Sequence, residues 1–154
     1  MCGIAGWVDW EKDLTKGKNK KVLKQMQETL TRRGPDEEGE WIDKDIGLVH
    51  RRLIVIDPEG GKQPMTKKIA NNKFIISYNG ELYNTAELRR QLCKLGHKFK
   101  SHSDTEVLLT AYIEWGVEVV NCLNGIYSFA VWDQKKEQLF LARDRIGVKP
   151  LFYS

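Results

Sequence analysis

Cysteine, histidine and proline are scarce in this 154-residue chain, at three, three and four residues, and each scarcity closes off a class of structure. Cys2, Cys93 and Cys122 show neither CxxC spacing nor the even count of a disulfide framework. His50, His97 and His102 are scattered, so no structural metal is expected. No apolar run approaches the roughly 20 residues of a membrane span. Met1-Cys2-Gly3 followed by Asp9, Glu11 and Asp13 is unlike a secretory signal, so the N-terminus is read as mature after methionine removal. Together these absences point to a reducing, cytoplasmic setting with no membrane contact. Internal repeats and low-complexity linkers are absent too.

The remaining composition, 41% hydrophobic and 30% charged, is that of one ordinary globular domain with a sizeable core. The formal charge of +4 comes from 25 basic and 21 acidic side chains. Much of the excess lies in Lys12, Lys16, Lys18, Lys20, Lys21 and Lys24, a stretch with no interleaved aromatic. It reads as a solvated face, and no nucleic-acid partner is expected.

Gly3-Ile4-Ala5-Gly6-Trp7-Val8 reads as a buried strand. Between Asn19 and Arg32, Val22, Leu23, Met26 and Leu30 recur at helical spacing, with Asn19 as N-cap and Gly34-Pro35 as the stop. Ile46 to His50 and Leu53 to Ile56 read as two strands flanking Arg51-Arg52. The strand Phe74 to Tyr78 is expected to break at Asn79-Gly80, a dipeptide that favours sharp turns. Leu88, Leu92 and Leu95 form a helix closed by Gly96, and Ser103-Asp104-Thr105-Glu106 is a capping box opening another. Ile126 to Trp132 and Leu139 to Ala142 make a hairpin, apolar on both faces, across Asp133 to Lys136. Strands covered on both sides imply an α+β fold in which two antiparallel sheets pack together under helices.

Cys2 carries the chemistry that this order frames. Once Met1 is removed, its own α-amine, with a pKa of about 7.7–8.0, can take the proton of a thiol titrating near about 8.5. Nucleophile and base then share one residue. Attack on an amide makes an oxyanion, and Asn79 with Gly80 offers a side-chain amide and a close backbone N–H. An amino-acid substrate also needs its two charges met. Arg52 or its neighbour Arg51 can bind a carboxylate, but adjacent strand residues face opposite ways, so only one points into a pocket. Glu81 and Asp104 can hold an ammonium, and Asp104 can equally serve the dipole of the helix it opens. Arg33-Gly34-Pro35-Asp36 and the segment from Asp144 to Tyr153 read as ordered loops without an assigned role.

In order, Met1 to Ile4, Arg33 to Asp36, His50 to Asp57, Asn79 to Asn84, Ser103 to Glu106 and Asp144 to Tyr153 resemble the N-terminal glutaminase domain of glutamine-hydrolysing asparagine synthetases. That domain is a class II glutamine amidotransferase of the N-terminal-nucleophile hydrolase fold, and the resemblance runs the whole chain. It implies an αββα sandwich whose last strands lie beyond Ser154. Arg-Gly-Pro-Asp and Lys-Pro-Leu-Phe-Tyr favour this branch over the glucosamine-phosphate and phosphoribosylamine branches. Cys2 would be the nucleophile and Arg52 would hold the glutamine α-carboxylate. Leu53, Ile54, Val55 and Ile56 would line the pocket with backbone groups, Asn79 and Gly80 would form the oxyanion hole, and Glu81 and Asp104 would lie near the substrate amine. The implied partners are L-glutamine and a synthetase domain or subunit receiving ammonia, with a homo-oligomer open. ATP and magnesium are expected only in that second domain, which this 154-residue chain does not include, and no cofactor is expected here. Two other readings stay open: a docking or regulatory module without activity, and the glutaminase of a synthetase that amidates another carboxylate.

Overall fold

The computed structural model describes residues 1–54 and 59–154. The chain divides into two compact units, Met1–Val55 and Ile56–Ser154.

The first unit holds β1 (Gly3–Val8), α1 (Gly17–Thr29), β2 (Glu37–Ile42) and β3 (Ile46–Arg52). Its sheet has the order β1-β3-β2, antiparallel throughout, with Gly3 opposite Arg51 and Glu37 opposite Arg52. Leu14, Leu23 and Val49 are fully buried, and Ala5, Trp7, Met26 and Ile42 pack around them. The helix differs from its expected form at both ends. Asn19 lies inside α1 and its side-chain amide donates to Asp13 O at 2.9 Å, so it ties the preceding loop rather than capping the helix. The helix ends at Thr29 because Leu30 and Thr31 N–H reach carbonyls three residues back, which tightens the last turn. Val22, expected on the buried face, is exposed. Gln27 is buried instead, donating to Gly39 O at 2.8 Å and His50 O at 3.2 Å.

β3 runs unbroken through Arg52, so both arginines sit within a strand. Leu53 and Ile54 follow it without strand pairing, and Val55 and Ile56 lie outside the described residues. β2 escaped the sequence reading because Glu37, Glu38 and Glu40 give it an acidic, weakly strand-like composition. Its pairing supplies the reason it forms: Glu37 and Glu38 lie directly opposite Arg52 and Arg51, and opposite charges across a strand pair are stabilising.

The second unit comprises β4 (Met65–Ile69), β5 (Asn72–Leu82), α2 (Thr85–Lys94), α3 (Asp104–Trp115), a short 3-10 helix (Gly116–Asn121), β6 (Gly125–Asp133) and β7 (Gln138–Arg143). The sheet order is β4-β5-β6-β7, again antiparallel. Alternate residues Ile76, Tyr78 and Leu82 of β5 and Tyr127, Phe129 and Val131 of β6 meet Leu88, Leu92, Val107, Leu108 and Tyr112 from the helices in one core. Burying each such aliphatic side chain is worth about 1.5–3 kcal/mol. Ser103 caps α3 as expected, accepting from Glu106 N–H at 3.3 Å. The Glu106 carboxylate does not return the favour, because it accepts from Lys100 and Ser101 N–H instead.

Two expectations fail in this unit. Asn79-Gly80 is not a turn: β5 passes straight through it, with Asn79 opposite Ser128 and Gly80 opposite Tyr127. Gly80 is needed there for close approach, since a Cβ would overlap the Ile126 carbonyl and come within 2.7 Å of Tyr127 Cα. The hairpin is also covered unevenly. β6 is buried from Tyr127 to Asp133, whereas β7 ends the strand order and exposes Gln138, Leu141 and Arg143.

Candidate active site

Cys2 stands at the entry of β1, half-buried, and its sulfur rests on the segment that leaves β3. Leu53 N–H donates to Sγ at 3.4 Å, and the thiol faces Leu53 O at 3.7 Å. Antiparallel pairing of β1 with β3 brings these residues together across 51 positions of sequence. The Arg33-Gly34-Pro35-Asp36 loop, which had no assigned role, fastens both strands of this junction. Arg33 Nε donates to Cys2 O at 3.2 Å, and Asp36 accepts from Ile54 N–H at 2.8 Å through its side chain while donating its own N–H to Arg52 O at 3.1 Å. Gly34 has no room for a side chain, since a Cβ would overlap the Arg51–Arg52 peptide.

The two arginines point apart, as their strand parity requires. Arg51 shares the face of Val49, which belongs to the core under α1, and bonds Glu38 at 2.7 Å and Thr31 Oγ1 at 2.8 Å. Arg52 is on the opposite face with its side chain 6% exposed, and its Nη1 pairs with Glu37 Oε2 at 3.0 Å. Of the sequence-derived site, the first unit therefore gathers Cys2, Arg52, Leu53 and Ile54.

The second unit holds Asn79, Gly80 and Glu81 in β5 and Asp104 at the start of α3. Asn79 is 5% exposed and Glu81 is exposed. Asp104, at the first turn of α3, reaches this strand through one oxygen: Oδ2 accepts from Tyr78 O–H at 2.8 Å and from Leu82 N–H at 3.4 Å. Burial pushes its carboxyl above the usual aspartate range, and the bonds from Tyr78 and from the Leu82, Thr105 and Asp104 N–H groups offset this only in part.

Tyr78 and Gln63 were missed in the sequence. Gln63 clasps Tyr78 on both sides, accepting from its N–H at 2.6 Å and donating to its carbonyl at 3.0 Å, so the residue before Asn79 is held at backbone level. No local signal marks such a glutamine. Glu37 and Glu38 carry no strand signal either, being consecutive acids of weak strand propensity. The Asp144 loop also gains a role. Asp144 accepts from Val148, Lys149 and Tyr127 N–H at 2.8, 2.9 and 3.3 Å, anchoring the loop to the residue opposite Gly80. Burial alone would raise its carboxyl, but bonds from the Lys149, Val148, Tyr127 and Gly147 N–H groups outweigh it and leave the carboxyl below its ordinary value.

Among the described residues no group of three His, Cys, Asp or Glu could hold a metal ion, and no helix is long and apolar enough to cross a membrane.

The chain belongs to the glutamine amidotransferase domain family, whose model matches residues 1–154. It is 51% identical over 154 residues to asparagine synthetase (glutamine-hydrolyzing) 3 of Bacillus subtilis (strain 168), covering 100% of this chain and 25% of that protein. Asparagine synthetase (glutamine-hydrolyzing) 1 of Arabidopsis thaliana is 40% identical over 152 residues, 99% of this chain and 25% of that one. The chain spans about a quarter of the length of the curated relatives it matches. Among solved structures it resembles glutamine phosphoribosylpyrophosphate amidotransferase from B. subtilis complexed with ADP and GMP, with TM-score 0.54 and 26% identity over 67% of this chain and 24% of that one. An allosteric regulatory enzyme of purine biosynthesis gives TM-score 0.56 and 26% identity over 71% and 26%. The fold class is the expected one, α+β of the N-terminal-nucleophile hydrolase type.

Proposed function

We propose that this domain hydrolyses L-glutamine to L-glutamate and ammonia through a γ-glutamyl thioester on Cys2. With Met1 removed, the Cys2 amine takes the thiol proton and the sulfur attacks the side-chain amide carbon. Asn79 and Gly80 donate to the oxyanion; collapse breaks the C–N bond, and the departing nitrogen takes the proton from the ammonium as ammonia leaves. Water then cleaves the thioester and frees the sulfur. Arg52 holds the substrate α-carboxylate, Glu81 and Asp104 hold its α-ammonium, and backbone groups of Leu53 to Ile56 line the pocket. The observation that most supports this reading is the seat of the Cys2 sulfur on Leu53 N–H, next in sequence to a buried arginine.

Ammonia passes to a synthetase domain or subunit that makes asparagine, a role supported by the names of the relatives, and the ATP and magnesium of that step belong to that domain. No residue of this chain is assigned to that second chemistry. Three free cysteines suit a reducing, cytoplasmic setting. Incubation with a glutamine-mimicking electrophile followed by peptide mass spectrometry tests the nucleophile. Label is expected on Cys2 as the N-terminal residue; label on Cys93 or Cys122 alone, or none with Met1 retained, counts against it.

A further inference from the structure

We propose that Tyr78 is a positioning residue for substrate binding, its hydroxyl fixing the Asp104 carboxylate so that the other oxygen meets the α-ammonium of the amino-acid substrate. This rests on the reading of Asp104 as an ammonium ligand. One side chain links two parts of the site. The Tyr78 hydroxyl lies 2.8 Å from Asp104 Oδ2, while its ring edge comes within 2.8 Å of where a Gly80 Cβ would stand. The ring is 2% exposed and packed in the core with Leu82 and Leu88, and Gln63 clasps its backbone, so the hydroxyl is held at a set point.

The chemistry follows from what surrounds the carboxyl. From β5 it meets Tyr78 O–H and Leu82 N–H, and from its own helix the Thr105 N–H and its own N–H. The charged groups of the neighbouring elements are committed elsewhere. Arg89 of α2 donates to Ser103 O at 3.3 Å and stacks over Phe99. Lys67 of β4 bonds Thr110 Oγ1 at 2.7 Å and lies 3.6 Å from Glu106, whose carboxylate is bonded to Lys100 and Ser101. Among the described residues no cation is paired with Asp104, and the Tyr78 hydroxyl is a side-chain donor that favours its ionised form. Phenylalanine fills the same space without that donor.

Tyr78→Phe is expected to raise KM for glutamine about fivefold, the worth of one such hydrogen bond, with kcat moved by less. The acid limb of kcat/KM should move to higher pH, and the preference for glutamine over glutamine lacking its α-amino group should fall by a similar factor. A purely structural tyrosine would move neither the limb nor the preference, and that result in folded Tyr78→Phe overturns the proposal. Asp104→Asn run alongside separates the two levels. If it lowers the α-amino preference and Tyr78→Phe does not, the tyrosine proposal alone falls; if neither variant lowers it, Asp104 is not the ammonium ligand and both readings fall.

Discussion

Arg52 meets its own protein's carboxylate before it meets any substrate. Its side chain is 6% exposed and its Nη1 pairs with Glu37 at 3.0 Å, and the planar fork of a guanidinium matches carboxylate geometry. Arg52→Ala is expected to raise KM for glutamine at least about tenfold with little change in kcat, the signature of lost binding common to ground and transition states. Steady-state kinetics check this, and an unchanged KM removes Arg52 from the site. Asp104 poses the reverse problem, since burial raises its carboxyl pKa. The folded state therefore keeps that proton to higher pH than the unfolded chain does. The ionised form costs stability, a cost absent below the unfolded pKa of about 3.9 and complete once pH has risen through the folded value. Asp104→Asn should then melt no lower than the parent at pH 7.5 and converge with it towards pH 4, while binding glutamine worse. A lower melting temperature at pH 7.5 contradicts this.

At the scale of elements, β5 carries most of the second unit's site, and its packing leaves little freedom. Gly80→Ala must push β5 away from the Ile126 carbonyl, shifting the N–H assigned to the oxyanion. A loss of about 100-fold in kcat is expected, comparable to removing one oxyanion donor; wild-type kcat in a folded variant would take Gly80 out of that role. Asp144→Ala removes the carboxylate that accepts from three N–H groups, those of Tyr127 in β6 and of Val148 and Lys149 in the loop. It should cost about 3 kcal/mol, seen as a melting temperature lowered by roughly 6–12 °C. Because the Asp144 carboxyl lies below its ordinary value in the fold, its stabilisation is present above the unfolded pKa of about 3.9 and fades as pH falls through the folded value.

For the molecule as a whole, what was legible in sequence followed from local signals. Ser103 announced α3 through its cap and Gly96 closed α2, while Cys2, Arg52, Asn79 and Asp104 are proposed because amide chemistry on an amino acid needs such groups. The elements that were misread depend on partners distant in sequence. β2 is a strand because Glu37 and Glu38 find Arg52 and Arg51, and Asn79-Gly80 stays extended because β6 pairs with it, with Asn79 opposite Ser128 at a separation of 49 positions. 

Pairings of this length are invisible to any local window. The same is true of Gln63, whose clasp on Tyr78 has no counterpart in the neighbouring residues. The loops from Arg33 and Asp144 looked ordered but idle for the same reason: the groups they fasten lie in other strands.

Ammonia release from L-glutamine by the purified chain, compared between the parent and Cys2→Ala, tests the central claim most directly. Release by the parent and its loss in a Cys2→Ala variant of unchanged melting temperature is the expected result. Release that persists without the Cys2 sulfur would contradict it.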